Sequence, residues 1–196
     1  MNTLHKYNII NILDLLAIEK EGALQQRLSS FSCPINAEIE DFIKYKALDF
    51  AKRKLSITYL ILDETANLLG YFTLTHKAIE VRGENLSNTV RRKLSAHSKF
   101  DENDNCYTAS AFLLAQIGKN YNIAKEIRIS GAELIAEAND VLEDIQHRIG
   151  GGIIYLDCED KEPLRNFYMK ENHYKIFGER ISETDHIRYL QMIRFF

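Results

Sequence analysis

Residues Ala111–Leu134, AFLLAQIGKNYNIAKEIRISGAEL, carry the reading on which the fold turns. The apolar run from Ala111 to Ile117 reads as a buried strand, closed by Gly118, Lys119 and Asn120. A helix is expected from near Ser130, because Leu134, Ala138, Val141, Leu142, Ile145 and Ile149 recur at the spacing of one helical face. Ser130 is the expected N-cap, and Gly150 to Gly152 end the helix. A strand that feeds a helix N-terminus through a polar loop is a ready anion site. The first-turn N–H groups lack internal partners, and the helix dipole favours negative charge. Gly131, without a Cβ, lets backbone approach a phosphate closely. An ordinary strand–helix connection, in which Gly131 only eases packing, is the simpler reading of this stretch taken alone.

Outward from that stretch, the whole chain has 196 residues, which suits one domain over 1–196 with a substantial core. Apolar residues make up 45% and charged residues 27%, a globular balance. A net charge of −3 argues against a protein that coats nucleic acid over its whole surface, but leaves room for a local basic groove. Cys33, Cys106 and Cys158 are far apart and odd in number, so neither a zinc ribbon nor a disulfide framework is expected. The six histidines show no ligand spacing, and no metal is expected. The first residues lack the basic–apolar–small order of a signal peptide, and no apolar run is long enough to span a membrane. A cytoplasmic protein with reduced thiols and no membrane partner is the expectation.

Taken in order, residues 1–30 read as mostly helical, with Asn11 and Asp14 as cap candidates and a break near Gly22. Asn36 caps a second helix whose apolar side carries Ile39, Phe42, Ile43, Ala47 and Phe50. Lys44, Lys46, Lys52, Arg53 and Lys54 lie elsewhere on its surface. Thr58–Leu62 and Leu69–Thr75 read as a hairpin around the turn Asp63–Asn67. Residues 76–105 are the least apolar part, with Lys77, Arg82, Arg91, Arg92, Lys93, His97 and Lys99. Here only a short helix near Ser87–Ala96 and loops are expected. Past the organising stretch, Ile153–Asp157 is a buried strand, Pro163 opens a helix that ends near Asn172, and His173–Phe177 and Arg188–Ile193 are two last strands. One α/β domain follows.

That order resembles the GNAT superfamily of acyl-CoA-dependent N-acetyltransferases, from Phe31 onward. The segment IIYLDCED (Ile153–Asp160), then a helix ending FYMKENHYKIF (Phe167–Phe177), is similar to the family's FYxxxGF element. Phe167 and Tyr168 stand at the paired aromatics, and His173 stands where the family usually has glycine. The front end, SCPINAEIEDFIKYKALDFAKRKLSITYLILDETANLLGYFTLT (Ser32–Thr75), is similar to a sub-group that includes toxins acetylating the amino acid on charged tRNA. The family's phosphate loop, Q/R-x-x-G-x-G/A, laid on Glu126–Gly131 (EIRISG), matches only at the last glycine.

The resemblance implies an α/β fold: a GNAT-like mixed, centrally splayed β-sheet flanked by helices. It implies acetyl-CoA as co-substrate, with the pantetheine arm on the backbone of Ile117, Gly118 and Lys119. The pyrophosphate would lie at Arg128, Ile129, Ser130, Gly131 and Ala132, with Arg128 or Lys125 adding charge. Tyr168 would be the proton donor to the departing sulfur. A thiol titrates near ~8.5 and a phenol near ~10, so the step is best described as a hydrogen bond that strengthens as the C–S bond breaks. Without the resemblance, Tyr168 reads as a core aromatic beside Leu164 and Phe167. Glu40, Asp41, Asp157 and Glu159 are the candidate general bases; Gln116 cannot act as one. The leading function is acetyl transfer to a primary amine. Charged tRNA is the alternative acceptor, served by a basic groove from residues 36–54 and 77–99. A non-catalytic acyl-CoA-binding or interaction module is the alternative in class, and a homodimer is left open.

Overall fold

The computed structural model describes residues 6–84, 86–183 and 186–196. Eight strands form one sheet: β1 (Asn8–Asn11), β2 (Ile57–Leu62), β3 (Leu68–Arg82), β4 (Ser98–Asp101), β5 (Cys106–Lys119), β6 (Ile153–Glu159), β7 (Lys175–Ile181) and β8 (Arg188–Phe195). The strand order is β1-β2-β3-β5-β6-β8-β7, with β4 also on β5. The helices are α1 (Ile12–Ile18), α2 (Glu21–Ser29), α3 (Ala37–Asp41), α4 (Ala47–Lys52), α5 (Asn88–Ser95), α6 (Gly131–Ile149) and α7 (Glu162–Arg165). A π-helical turn, Phe42–Lys46, joins α3 to α4, and another, Asn166–Glu171, prolongs α7.

The chain divides into two compact units. The first holds the described residues up to Thr75 together with Ala115–Leu142; the second holds His76–Leu114 and Glu143–Phe196. In the first, β1, β2 and β3 form an antiparallel meander. Leu60, Leu62 and Tyr71 on one face pack against Ile12, Leu15, Leu24, Leu28, Phe42 and Ile43 of the N-terminal helices. Side-chain caps start these helices: Asn11 Oδ1 accepts from Leu13 N–H at 2.9 Å and Asn36 Oδ1 from Ile39 N–H at 3.2 Å. Each cap of this kind is worth about 1 kcal/mol. In the second unit, Ile79, Val81, Tyr107, Ala109, Ala111, Ile153, Tyr155 and Ile193 form the core with Leu86 and Leu94. Here β6 and β8, and β7 and β8, are antiparallel. The parallel β5–β6 ladder is short, pairing Phe112 with Ile154 and Leu113 with Tyr155. On its other edge β6 pairs with β8 along its whole length, from Ile153 to Glu159.

Three elements differ from the sequence reading. Asn8–Asn11 is a strand paired with β2, not helix; it runs straight into α1, and its adjacent Ile9 and Ile10 hide the alternation. The first five residues of that expected helix lie outside the described residues. The helical run breaks at Glu19–Lys20, while Gly22 sits in the first turn of α2. Residues 76–82 extend β3, and β4 with the start of β5 forms a hairpin, where loops are expected. These strands turn one face to solvent, so Ile79 and Val81 alternate with exposed residues and the segment is poor in apolar residues without being irregular.

Candidate active site

In the first unit, Asn120 fixes the end of β5. Its N–H donates to Leu69 O and its Nδ2 to Leu68 O, both at 2.8 Å, while Oδ1 accepts from Ser32 and Asn122 N–H at 3.0 Å. Two residues earlier, Gly118 lies beneath Ile39, Tyr71 and Phe31, where any Cβ would run into the Ile39 side chain. The Tyr71 hydroxyl in turn donates to Ile39 O at 2.6 Å. Because Asn120 N–H faces β3, strand alternation turns the N–H and C=O of Ile117 and Lys119 to the opposite edge. Among the described residues no strand of this unit covers that edge. An extended chain with amide groups can add to it as a strand does.

The N-terminus of α6 is closed by a capping box. Glu133 N–H donates to Ser130 Oγ at 3.1 Å, and Ser130 N–H donates to Glu133 Oε2 at 2.9 Å. Lys6 Nζ and Tyr7 Oη donate to the other carboxylate oxygen at 2.6 and 2.8 Å. Lys6 first, then Ser130, holds the Glu133 carboxyl down at about 2. The Ser130 N–H is therefore satisfied within the chain, and the N–H groups of Gly131 and Ala132 are the open donors of the first turn. Ile129 is buried against the Gly70 face of β3. Arg128 turns back into its own loop, donating to Ile123 O at 3.1 Å and Tyr121 O at 2.7 Å and stacking over the Tyr121 ring. It braces the loop, and the exposed Lys125 is the freer cation.

In the second unit, Pro163 sits in the first turn of α7, and the π-turn beyond it carries Tyr168. The Tyr168 ring meets Phe167 and Tyr174 edge-on, with centroids 5.1 and 5.7 Å away. Tyr174 N–H donates to Tyr168 O at 3.0 Å across a turn in which His173 takes φ +61°, a left-handed conformation that glycine adopts at least cost. Tyr168 is 8% exposed, and its hydroxyl makes no hydrogen bond among the described residues. Burial, with Cys158 and Tyr174 adding to it, pushes its phenol well above the ordinary range. Tyr168 thus keeps its proton at neutral pH, as a donor must. Burial, then Asp160 and Glu159, pushes the Cys158 thiol up to about 12, so it is no nucleophile.

The four candidate bases differ in what already holds them. Glu40 accepts from Cys33 N–H at 2.6 Å and from Lys44 Nζ at 2.5 Å; Lys44 and then the Cys33 N–H lower its carboxyl. Asp157 accepts from the Tyr155 hydroxyl and, at 2.7 Å, from Arg180 Nε. Glu159 pairs with Lys161. Asp41 makes no ion pair among the described residues. The Tyr155–Asp157–Arg180 network and the Lys6–Glu133 bridge were not legible in the sequence, since Arg180 and Lys6 lie far along the chain from the carboxylates they meet. Among the described residues no cluster of His, Cys, Asp and Glu could hold a metal ion, and no helix is long and apolar enough to cross a membrane.

No family model matches this chain, and no curated protein matches it. Solved structures do. The chain is similar to AtaT complexed with acetyl-methionyl-tRNAfMet, at 16% identity over 93% of both chains with a TM-score of 0.61. It is similar to a tyrosine-to-phenylalanine mutant of KacT, at 16% identity over 95% of both chains with a TM-score of 0.60. It is also similar to AtaTR bound with AcCoA, at 16% identity over 95% of this chain and 94% of that one, with a TM-score of 0.59. The fold is the GNAT fold. The mixed, mostly antiparallel sheet flanked by helices matches these neighbours, and the resemblance read from the sequence holds at the level of the fold.

Proposed function

We propose that the chain is an acetyl-CoA-dependent N-acetyltransferase acting on a primary amine. The observation that carries this is Tyr168 on the helix after β6 of a GNAT fold: a buried residue whose hydroxyl keeps its proton and makes no hydrogen bond among the described residues. Structural neighbours solved with AcCoA and as tyrosine-to-phenylalanine mutants support the reading. In this reading the open β5 edge at Ile117 and Lys119 receives the pantetheine amides, and the Gly131 and Ala132 N–H groups with the α6 dipole take the pyrophosphate. The amine nitrogen attacks the thioester carbonyl carbon, forming the C–N bond and an oxyanion. A backbone N–H at that oxygen is worth about 3 kcal/mol. As the oxyanion collapses, the C–S bond breaks and its electron pair goes to sulfur. The Tyr168 hydroxyl donates to that sulfur as its charge grows, and the proton shed by nitrogen leaves to solvent.

The amine of an aminoacyl-tRNA is the acceptor favoured by a specific observation. AtaT has been solved complexed with acetyl-methionyl-tRNAfMet, and Lys77, Arg82, Arg91, Arg92, Lys93 and Lys99 make no ion pair among the described residues. An aminoacyl ester has an amine of low pKa and needs little base, which suits a site where Glu40 and Asp157 are already engaged. By the same likeness an antitoxin-type protein is a candidate partner, AtaT having been solved with AtaR. The test is transfer from labelled acetyl-CoA to a panel of charged tRNAs and small amines. Label on aminoacyl-tRNA is the expected result. CoA binding without transfer to any acceptor would leave only the binding-module alternative.

A further inference from the structure

Strand β7 is one edge of the sheet: β8 lies on one side of it, and among the described residues no strand lies on the other. Such an edge presents unpaired N–H and C=O groups, and proteins commonly guard it with bulges and free charges. In β7 the register against β8 shifts at Phe177, so a bulge guards only the start of the strand. From Gly178 to Ile181 the pairing is regular. Just beyond, Ser182 N–H donates to Ile187 O at 2.9 Å, which makes that opposed pair a hydrogen-bonded one. Counting back along the antiparallel ladder, Arg180 and Gly178 turn their amides to β8, while Glu179 and Ile181 turn theirs outward.

The side chains leave this edge open. Ile176, Glu179 and Ile181 stand opposite Met192, Leu190 and Arg188 and so share one face of the sheet. Ile181 is 67% exposed and Ile176 39%. The charges that could deter a neighbouring strand are taken up inside the chain. Arg188 Nε donates to Glu179 Oε2 at 3.0 Å, and Arg180 Nε to Asp157 Oδ2 at 2.7 Å. Exposed Lys175, at the start of the strand, meets no carboxylate among the described residues.

These features select the occupant. Outward N–H and C=O groups alternate along the edge, so the occupant must both accept and donate. A polynucleotide backbone offers phosphate acceptors without such donors, whereas a peptide offers both. A second copy of β7 fits poorly. Self-pairing through Glu179 and Ile181 centres on Glu179, Arg180 or Ile181. The first sets Glu179 opposite itself, the second sets Arg180 opposite itself, and the third sets Glu179 opposite Glu183. Like charges directly opposed destabilise a ladder. We infer that the open edge of β7 receives an extended segment of a different protein, added as a further strand, with an apolar side chain against Ile181 and a carboxylate near Lys175. The inference goes beyond acetyl transfer and does not depend on it.

The test is amide NMR of the full chain titrated with a capped seven-residue peptide of alternating valine and threonine that carries one glutamate. The amides of Glu179 and Ile181 should shift and exchange more slowly with water, and those of Gly178 and Arg180 should change much less. Ile181→Pro removes only an outward N–H, so β7 should keep its pairing with β8 while the peptide binds about 10-fold more weakly. Ile181→Lys keeps every backbone group and should also weaken binding, whereas Ile181→Val should bind as wild type does. Exchanging the glutamate of the peptide for lysine should weaken binding too. No response at Glu179 and Ile181, equal affinity in wild type and Ile181→Lys, self-association of the chain that Ile181→Pro abolishes, or displacement of the peptide by polyuridylate would each overturn the inference. Because no CoA is present, failure of acetyl transfer with an intact peptide response would count against the enzyme reading alone.

Discussion

Two stretches of the chain carry a similar load of positive charge and use it differently. From Ala37 through α4 to Lys54, three of five cations are held by carboxylates. Lys44 lies 2.5 Å from Glu40, Lys52 2.5 Å from Glu21, and Arg53 3.2 Å from Asp49. In the segment from Lys77 to Lys99, none of the six Lys and Arg side chains meets a carboxylate among the described residues. Lys93 lies over the Phe195 ring instead, and Arg91 donates to Leu86 O. Both stretches read alike as sources of a basic groove, yet the second is the one whose charge no carboxylate neutralises among the described residues. The same contrast separates Glu40 and Asp157, whose oxygens are engaged, from the Tyr168 hydroxyl, which makes no hydrogen bond among the described residues. The lesson is that availability, more than residue type, marks where a ligand or a reacting atom can be met.

If function follows the uncommitted groups, their removal should cost activity while removal of committed ones costs only stability. The largest effect belongs to Tyr168→Phe. Turnover should fall by roughly 10²-fold with CoA affinity near wild type, as read by CoA-thiol release under saturating acceptor. Unaltered turnover would return Tyr168 to the core aromatics. Gly118→Ala probes the committed side. Its Cβ meets Ile39, Tyr71 and Phe31, so urea unfolding should show about 1–3 kcal/mol of destabilisation from overpacking. A neutral result would mean that this packing yields easily. At the open first turn of α6, Gly131→Val should weaken CoA binding by about 10-fold or more in calorimetry while the protein stays folded. Wild-type affinity would move the pyrophosphate elsewhere. Charge reversal of Arg91 and Arg92 should raise KM for a tRNA acceptor several-fold at low salt, the effect fading as salt rises, without touching CoA binding. Reversal of Lys52 and Arg53 is the matched control. It should leave acceptor kinetics alone and alter stability by about 1 kcal/mol or less, as exposed pairs do. Equal kinetic effects from the two reversals would break the comparison.

Much of the fold could be read because its signals are local. The apolar run to Ile117, the helical stripe from Leu134 to Leu142 and the caps at Asn11, Asn36 and Ser130 all lie within a few residues of what they specify, whereas Ile149, read on the same stripe, is exposed. Strands β1 and β4 and the far half of β3 escaped because a strand with one solvated face has few apolar residues, and its partner is remote. Tyr168 stood out as a candidate only through the FY pattern, since a buried aromatic on a helix has no signature of its own. That Arg128 would brace its own loop, and that Glu133 would take the Ser130 N–H, depended on Tyr121, Lys6 and Tyr7, which no local spacing connects to them.

The strand order has a consequence for synthesis. β8 lies between β6 and β7 in the sheet, yet emerges from the ribosome after both. At about 5–20 residues per second, β7 is outside the tunnel before the strand that pairs with it. The first unit likewise waits for Ala115–Leu142, made only after the excursion that begins at His76. A chain truncated short of Arg188 and released therefore carries β7 without the strand that pairs with it and β6 with one edge open. At that length it should be a ready client for chaperones and proteases, and the second unit should gain protection only when β8 is present.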